Sequence, residues 1–122
     1  MLTGVGCDLI ELERVEKACE KEAFLSRIYT TNERRQADGR ISALAGTFAV
    51  KEAVAKVLGT GFRTFMPIDV EVLRDELGKP YVVLHGGASR VAEEKGIRRI
   101  EVSISDTKDY VMAFAVGEGE AS

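Results

Sequence analysis

The sequence predicts an α+β fold, a small antiparallel sheet packed with helices, because of the order and texture of its segments. A strand-like segment opens the chain, helix-forming stretches follow, and the remainder is mostly strands. Residues 68–73 (Ile-Asp-Val-Glu-Val-Leu) alternate strictly, Gly78-Lys79-Pro80 turns the chain, and residues 81–84 (Tyr-Val-Val-Leu) return as the second arm of a hairpin. Residues 100–105 and 110–116 supply two further strands. A doubly wound parallel sheet would alternate strand and helix throughout, which this order does not.

Taken in order, residues 2–10 mix apolar and small residues and read as a strand, with Gly4 and Gly6 permitting close approach of another backbone or a ligand. From Glu11 onward Leu12, Val15 and Ala18-Cys19 recur at helical spacing among Glu and Lys, an amphipathic helix that puts Asp8 near a strand-to-helix junction. A second helical stretch covers 24–29. Thr30-Thr31-Asn32 then offers cap chemistry for a short helix through Arg34-Arg35, ended by Gly39. The strongest helix follows. Ser42 can cap it, Leu44-Ala45, Phe48-Ala49, Val54 and Val57-Leu58 make a wide apolar stripe, and Gly59 stops it. Gly59-Thr60-Gly61 opens a loop carrying Phe62, Phe65 and Met66, apolar enough to predict contact with a partner or ligand. Residues 88–95 form a last short helix before Gly96.

The chain has 122 residues and no Pro-, Ser- or low-complexity-rich stretch at which to divide it, so one domain, 1–122, is expected. That length buries enough surface to fold without disulfide or structural metal. With Lys+Arg 17 against Asp+Glu 20 and a formal net charge of −3, it lacks the bulk positive charge of a non-specific nucleic-acid binder. No apolar run has membrane-spanning length and no cleavable N-terminal signal is evident, so a cytoplasmic protein that uses no membrane is expected. Cys7 and Cys19 read as small buried hydrophobes rather than catalytic thiols, the sole histidine, His85, being far off in sequence and structural in reading.

Chemistry concentrates in a few charged residues. Glu52 and Lys56 stand four apart on one face of the long helix, which alone is a surface ion pair contributing about 0.3–0.5 kcal/mol. A second carboxylate, Asp8, in a Gly-rich strand changes that reading. Mg²⁺ takes one or two protein carboxylates and completes its shell with water and phosphate oxygens, so Asp8, Glu52 and a pyrophosphate would form a complete site, with Lys56 offsetting phosphate charge. Neither Gly59-Thr60-Gly61 nor Gly4-Val5-Gly6 has the spacing of a Walker or dinucleotide loop, and taken alone the former is a helix stop. Arg34, Arg35 and Arg40 cluster before the long helix, either as a solvated face or as phosphate contacts. Arg14 is a surface residue or a contact for an acidic partner protein.

Taken together, Gly4-Val5-Gly6-Cys7-Asp8-Leu9-Ile10-Glu11 with Arg14, and Phe48-Ala49-Val50-Lys51-Glu52-Ala53-Val54-Ala55-Lys56-Val57-Leu58-Gly59-Thr60-Gly61, resemble the two signatures of the holo-(acyl-carrier-protein) synthase family of 4′-phosphopantetheinyl transferases. Asp69-Val70-Glu71-Val72, Gly78-Lys79-Pro80, Val102-Ser103-Ile104-Ser105 and Asp109-Tyr110-Val111-Met112-Ala113 look like further family segments in the expected order. The resemblance implies the fold of that family, assembled as a homotrimer with active sites between subunits. It also implies Mg²⁺-dependent transfer of 4′-phosphopantetheine from coenzyme A to a serine of apo acyl carrier protein, in fatty acid biosynthesis. On the same ground Asp8 and Glu52 would hold the metal, and these two with Lys56 would be the catalytic residues. Coenzyme A would meet Lys56, Gly59, Thr60 and Gly61, and the carrier protein would meet Arg14.

The chain departs from the family pattern at Thr47, where an arginine that binds coenzyme A phosphate usually stands, and at Asp106, where histidine is usual. A hydroxyl cannot replace the arginine's charge, so Arg40, or Arg34 and Arg35, is expected to supply part of the positive field. These losses raise an alternative, a non-catalytic module that binds coenzyme A or a carrier protein.

Overall fold

The computed structural model describes residues 1–120; the last two residues of the expected 1–122 domain lie outside the described residues. The chain runs through β1 (Leu2–Glu11), α1 (Leu12–Ala18), α2 (Glu22–Ile28), α3 (Thr31–Ala37), α4 (Ile41–Leu58), β2 (Val70–Arg74), β3 (Pro80–Leu84), α5 (Gly86–Glu94), β4 (Ile97–Asp106) and β5 (Tyr110–Gly119). Short 3₁₀ turns at Gly61–Arg63 and Pro67–Asp69 lead into β2. The architecture is the predicted α+β, with an antiparallel sheet in the order β1-β5-β4 and a separate antiparallel hairpin of β2 and β3.

Helix α4 is the spine because its small and β-branched residues are buried almost all round, between the inner face of the three-stranded sheet and β2. The smallest residues of β1 permit this approach. A Cβ at Gly6 would overlap the Ala53 carbonyl oxygen and stand 2.9 Å from Lys56 Cβ. The β1 backbone therefore lies directly on the turn of α4 that carries Glu52 and Lys56. Gly6→Ala is expected to cost about 1–3 kcal/mol through overpacking, read as a lower urea midpoint, and to lower turnover as well by prising α4 away from Asp8.

A second, polar attachment holds the other side of α4. Lys51 is fully buried, and its Nζ meets Glu33 Oε2 at 2.9 Å and donates to the carbonyls of Pro67 (3.0 Å) and Val70 (2.6 Å). Glu33 also accepts from the backbone N–H groups of Thr30 and Val72, and the Thr30 hydroxyl caps α3 by accepting from Glu33 N. That hydroxyl donates to Glu71, whose other oxygen lies 3.0 Å from His85 Nε2. Burial alone would push the Glu71 carboxyl up, but hydrogen bonds from Thr30, His85 and Asn32 hold it below its ordinary value. A depressed carboxyl contributes stability above its unfolded value, about 4.3, and loses it as pH falls through the folded value. Glu71→Gln is accordingly expected to cost about 1 kcal/mol at neutral pH, with the difference in melting temperature closing as the medium is acidified past the carboxylate range.

Several sequence expectations shift. Helix α4 begins at Ile41 with Arg40 as its extended N-cap, so Ser42 sits inside the first turn instead of capping it. The cause is the reversal at Asp38 and Gly39, both at positive φ (48° and 76°), which starts the helix early. Asp8 lies within β1, opposite Ala113 on β5, close to the strand-to-helix junction, since β1 ends at Glu11 and α1 follows directly at Leu12. Phe65 is buried and packs edge-on to the half-buried Phe62 at 5.4 Å, so the apolar content of that loop mainly feeds the core; Met66 remains exposed. Cys7 is exposed on the outer sheet face because the odd residues of β1 point away from α4, and Cys19, at the C-cap of α1, is half-buried; both are free thiols.

Candidate active site

Alternation along β1 decides which side chains meet α4. With Gly4 and Gly6 turned toward the helix, Asp8 is the next residue on that inner face, and its side chain is only 19% exposed. Lys56 leans across to it: Nζ is 3.6 Å from Asp8 Oδ1 and donates to the Cys7 carbonyl at 2.6 Å. Glu52, one helical turn earlier, completes the group. Its carboxyl is pushed up by burial and by the Asp8 charge, against the pull of Lys56. Asp8 Oδ2 is buried without any hydrogen-bond partner among the described residues. Two carboxylates and one ammonium are thus brought together from segments far apart in sequence. A buried carboxylate oxygen without a hydrogen-bond donor, beside a second carboxylate, has the chemistry of a cation ligand.

Beyond Lys56, Gly59 ends α4 in the left-handed conformation (φ 80°), donating its N–H to the carbonyls of Ala55 and Lys56. Thr60 Oγ1 donates to the Gly61 carbonyl, and Gly61 also has positive φ (60°). Lys95, at the end of α5, brings its Nζ to 3.0 Å from where a Gly59 Cβ would stand. No spacing in the sequence connected Lys95 with Gly59, since only the packing of α5 brings them together.

The remaining predicted residues occupy other places. Arg34 is engaged by Glu22 through two hydrogen bonds of 2.8 and 2.9 Å, and Arg35 by Asn32. Arg40 turns back to the carbonyls of Ala37 and Gln36, and it lines a cleft of about 250 Å³ shared with Thr47, Arg74 and Asp106. The two departures at 47 and 106 therefore face one space, and Arg74, which no motif singles out, lines it too. Arg14 borders an apolar cleft with Leu9, Val15, Phe24, Phe48 and Tyr110, continued by a surface where Lys17, Lys21 and Arg27 surround Phe24.

This fold, with paired carboxylates beside a lysine at a strand–helix contact, defines a class: the profile of the 4′-phosphopantetheinyl transferase superfamily matches residues 4–115. The chain is 52% identical to the holo-(acyl-carrier-protein) synthase of Lachnoclostridium phytofermentans over 97% of both chains. It superposes with a TM-score of 0.87 on the crystal structure of the Neisseria meningitidis holo-(acyl-carrier-protein) synthase, 38% identical, covering 97% of this chain and 99% of that one. The Bacillus anthracis holo-(acyl-carrier-protein) synthase in complex with CoA (3′,5′-ADP) superposes at 0.81, 36% identical, over 98% and 99%. The chain belongs to the holo-(acyl-carrier-protein) synthase family.

Proposed function

We propose that the chain transfers 4′-phosphopantetheine from coenzyme A to a serine hydroxyl of an apo acyl carrier protein, releasing adenosine 3′,5′-bisphosphate, as one domain spanning 1–122. The observation that carries this reading is the convergence of Asp8, Glu52 and Lys56, with Asp8 Oδ2 left unsatisfied. Two protein carboxylates are what Mg²⁺ uses when phosphate oxygens and water complete its shell. Asp8 and Glu52 would hold Mg²⁺, which when bound supplies Lewis-acid neutralisation of pyrophosphate charge.

The protein's own groups divide the remaining work. The serine oxygen attacks the β-phosphorus of coenzyme A, the bond to the bridging oxygen breaks, and negative charge grows on that oxygen. Lys56, held in place by the Cys7 carbonyl, offsets this charge. Glu52, its proton affinity raised by burial and by Asp8, takes the serine proton. Lys56→Ala is expected to lower turnover by about 10² or more with a smaller effect on coenzyme A affinity, since its charge matters most in the transition state. Steady-state kinetics that place the loss in KM alone would contradict this role.

Supporting surfaces lie on either side. Arg14, Lys17, Lys21 and Arg27, against the single carboxylate Glu20, give a predominantly basic rim around Phe24, suited to an acidic carrier protein. On the outer sheet face Val5, Leu9, Met112 and Phe114 are exposed on neighbouring strands, and a trimer interface would cover them. A shared site suits the sheet order, because the carboxylates lie by β1 and the Thr47–Asp106 cleft by β4, with β5 between those strands. The reaction belongs to fatty acid biosynthesis in the cytoplasm, and no helix among the described residues is long and apolar enough to cross a membrane.

Incubation with apo acyl carrier protein, coenzyme A and Mg²⁺, followed by mass spectrometry, tests the proposal. A phosphopantetheine adduct on the carrier serine is expected. Its absence, with coenzyme A still bound, would favour the alternative of a non-catalytic binding module, which the changes at Thr47 and Asp106 would explain.

A further inference from the structure

In its last turns α4 shows solvent only one narrow stripe. From Lys51 to Gly59 every residue is buried except Glu52, Lys56 and Gly59, and spacings of four and three residues put these on one face. The stripe begins at a carboxylate, passes an ammonium and ends on bare backbone. A Cβ at Gly59 would meet only Lys95 Nζ, at 3.0 Å, and one at Gly61 would meet nothing within 4 Å. The end of the stripe is therefore open, with a single ammonium from another element standing over it.

Lys95 is the C-cap of α5, its N–H bonded to the Val91 carbonyl at 3.0 Å, and Gly96 (φ 70°) then turns the chain into β4, where Ile97 is buried. The base of the side chain is thus fixed. Its ammonium is free: Lys95 is exposed and enters no ion pair or side-chain hydrogen bond among the described residues. A cation beside the last turn of α4 meets the negative end of that helix, which would account for its position but gives the open stripe no use.

The balance of charge along the stripe gives it one. Two ionised carboxylates, Asp8 and Glu52, and the two charges of a diesterified pyrophosphate would stand against Mg²⁺ and one ammonium, which leaves a negative charge uncompensated. Lys56 is drawn toward β1, to Asp8 Oδ1 at 3.6 Å and the Cys7 carbonyl at 2.6 Å, so the side of the stripe toward α5 receives no cation from α4. We infer that Lys95 is a second ammonium for the pyrophosphate of coenzyme A, reaching it from α5 across Gly59 while the carboxylates and Lys56 hold it from β1 and α4. The inference rests on the transfer proposed above. The two lysines then have different tasks. Lys56 meets charge that grows as the bond to the bridging oxygen breaks, whereas Lys95 meets charge already present in the bound substrate, which lowers KM without raising kcat.

Calorimetric titration with coenzyme A in Mg²⁺, without carrier protein, and initial rates with it test this. Lys95→Gln is expected to weaken coenzyme A binding roughly tenfold, the lower end of what a hydrogen bond to a charged group contributes, and to raise KM by about the same factor with kcat nearly unchanged. Binding of 3′-dephospho-coenzyme A, which keeps the pyrophosphate, should weaken equally. Lys95→Arg should retain most of the affinity, and the deficit of Lys95→Gln should shrink as salt is raised, since an exposed ammonium is screened. Arg90→Gln, which removes another exposed positive charge from α5, should leave both affinities as they were. A lower melting temperature in Lys95→Gln with affinity and KM unchanged would make Lys95 only a cap for α4 and overturn the assignment. So would a loss confined to coenzyme A with its dephospho form spared, or a fall in kcat alone. Adduct formation with an unaltered KM in Lys95→Gln sinks this inference and leaves the transfer standing; Lys95-dependent binding without any adduct does the reverse.

Discussion

Replacing either Asp8 or Glu52 with alanine is expected to reduce pantetheine transfer by roughly 10³-fold or more, because each carboxylate is half of what would keep Mg²⁺ and the pyrophosphate in register. Metal-ion stabilisation of transition-state charge contributes several kcal/mol, and each factor of ten in rate corresponds to about 1.4 kcal/mol. The two variants should nevertheless fold. Asp8 Oδ2 has no hydrogen-bond partner to lose among the described residues, and ionised Glu52 is already disfavoured by burial and by Asp8. Turnover in single-time-point and initial-rate assays, set beside thermal melts of the same preparations, separates lost chemistry from lost structure. Transfer within tenfold of the unmodified protein in either variant would refute the assignment of these carboxylates.

Lys51→Met should do the reverse, although it is the neighbour of Glu52 in sequence. Its side chain leaves α4 on the opposite face, where the ammonium contacts Glu33 and two backbone carbonyls with no access to water. Burial pushes the Glu33 carboxyl up and the Lys51 ammonium down, and each partner opposes that shift in the other. Removing one member of such a pair leaves an uncompensated buried charge and costs about 3–5 kcal/mol, a large share of the 5–15 kcal/mol typical of a whole domain. Urea unfolding at neutral pH is expected to give a midpoint lowered accordingly, with the slope unchanged. Glu33→Gln should be milder, since the amide oxygen can still accept one of the backbone N–H groups that Glu33 serves. A loss below about 1 kcal/mol in Lys51→Met would mean that water or a shifted side chain replaces the pair.

How much of this was legible beforehand depended on the range of the interaction. The alternation at 68–73, the turn at Gly78-Lys79-Pro80 and the apolar stripe of α4 are local patterns, and the observed hairpin, with β2 starting at Val70, and helix match them. The start of α4 differs from the cap expected at Ser42 because its determinant is a backbone reversal at Asp38 and Gly39, and Ser42 looks like a cap whether or not the chain turns there. Asp8, Glu52 and Lys56 were each weak signals as residue types. They acquired meaning from their motifs, and the structure supplies the contact through Gly6, whose lack of a side chain sets β1 directly on α4.

By itself the sequence determined the order of helices and strands, the choice of an antiparallel α+β architecture, and the identity of the residues that converge, since hydrophobic period and motif spacing are properties of neighbours along the chain. Only the tertiary structure decided that Thr47, Asp106, Arg40 and Arg74 share one cleft, that Lys95 reaches Gly59, and that Lys51 and Glu52 serve opposite faces. The physical reason is that charge acts through distance in space. A guanidinium on β2 and a threonine on α4 are unrelated until the packing of these elements sets both on one cleft, and no periodicity in the chain records that proximity.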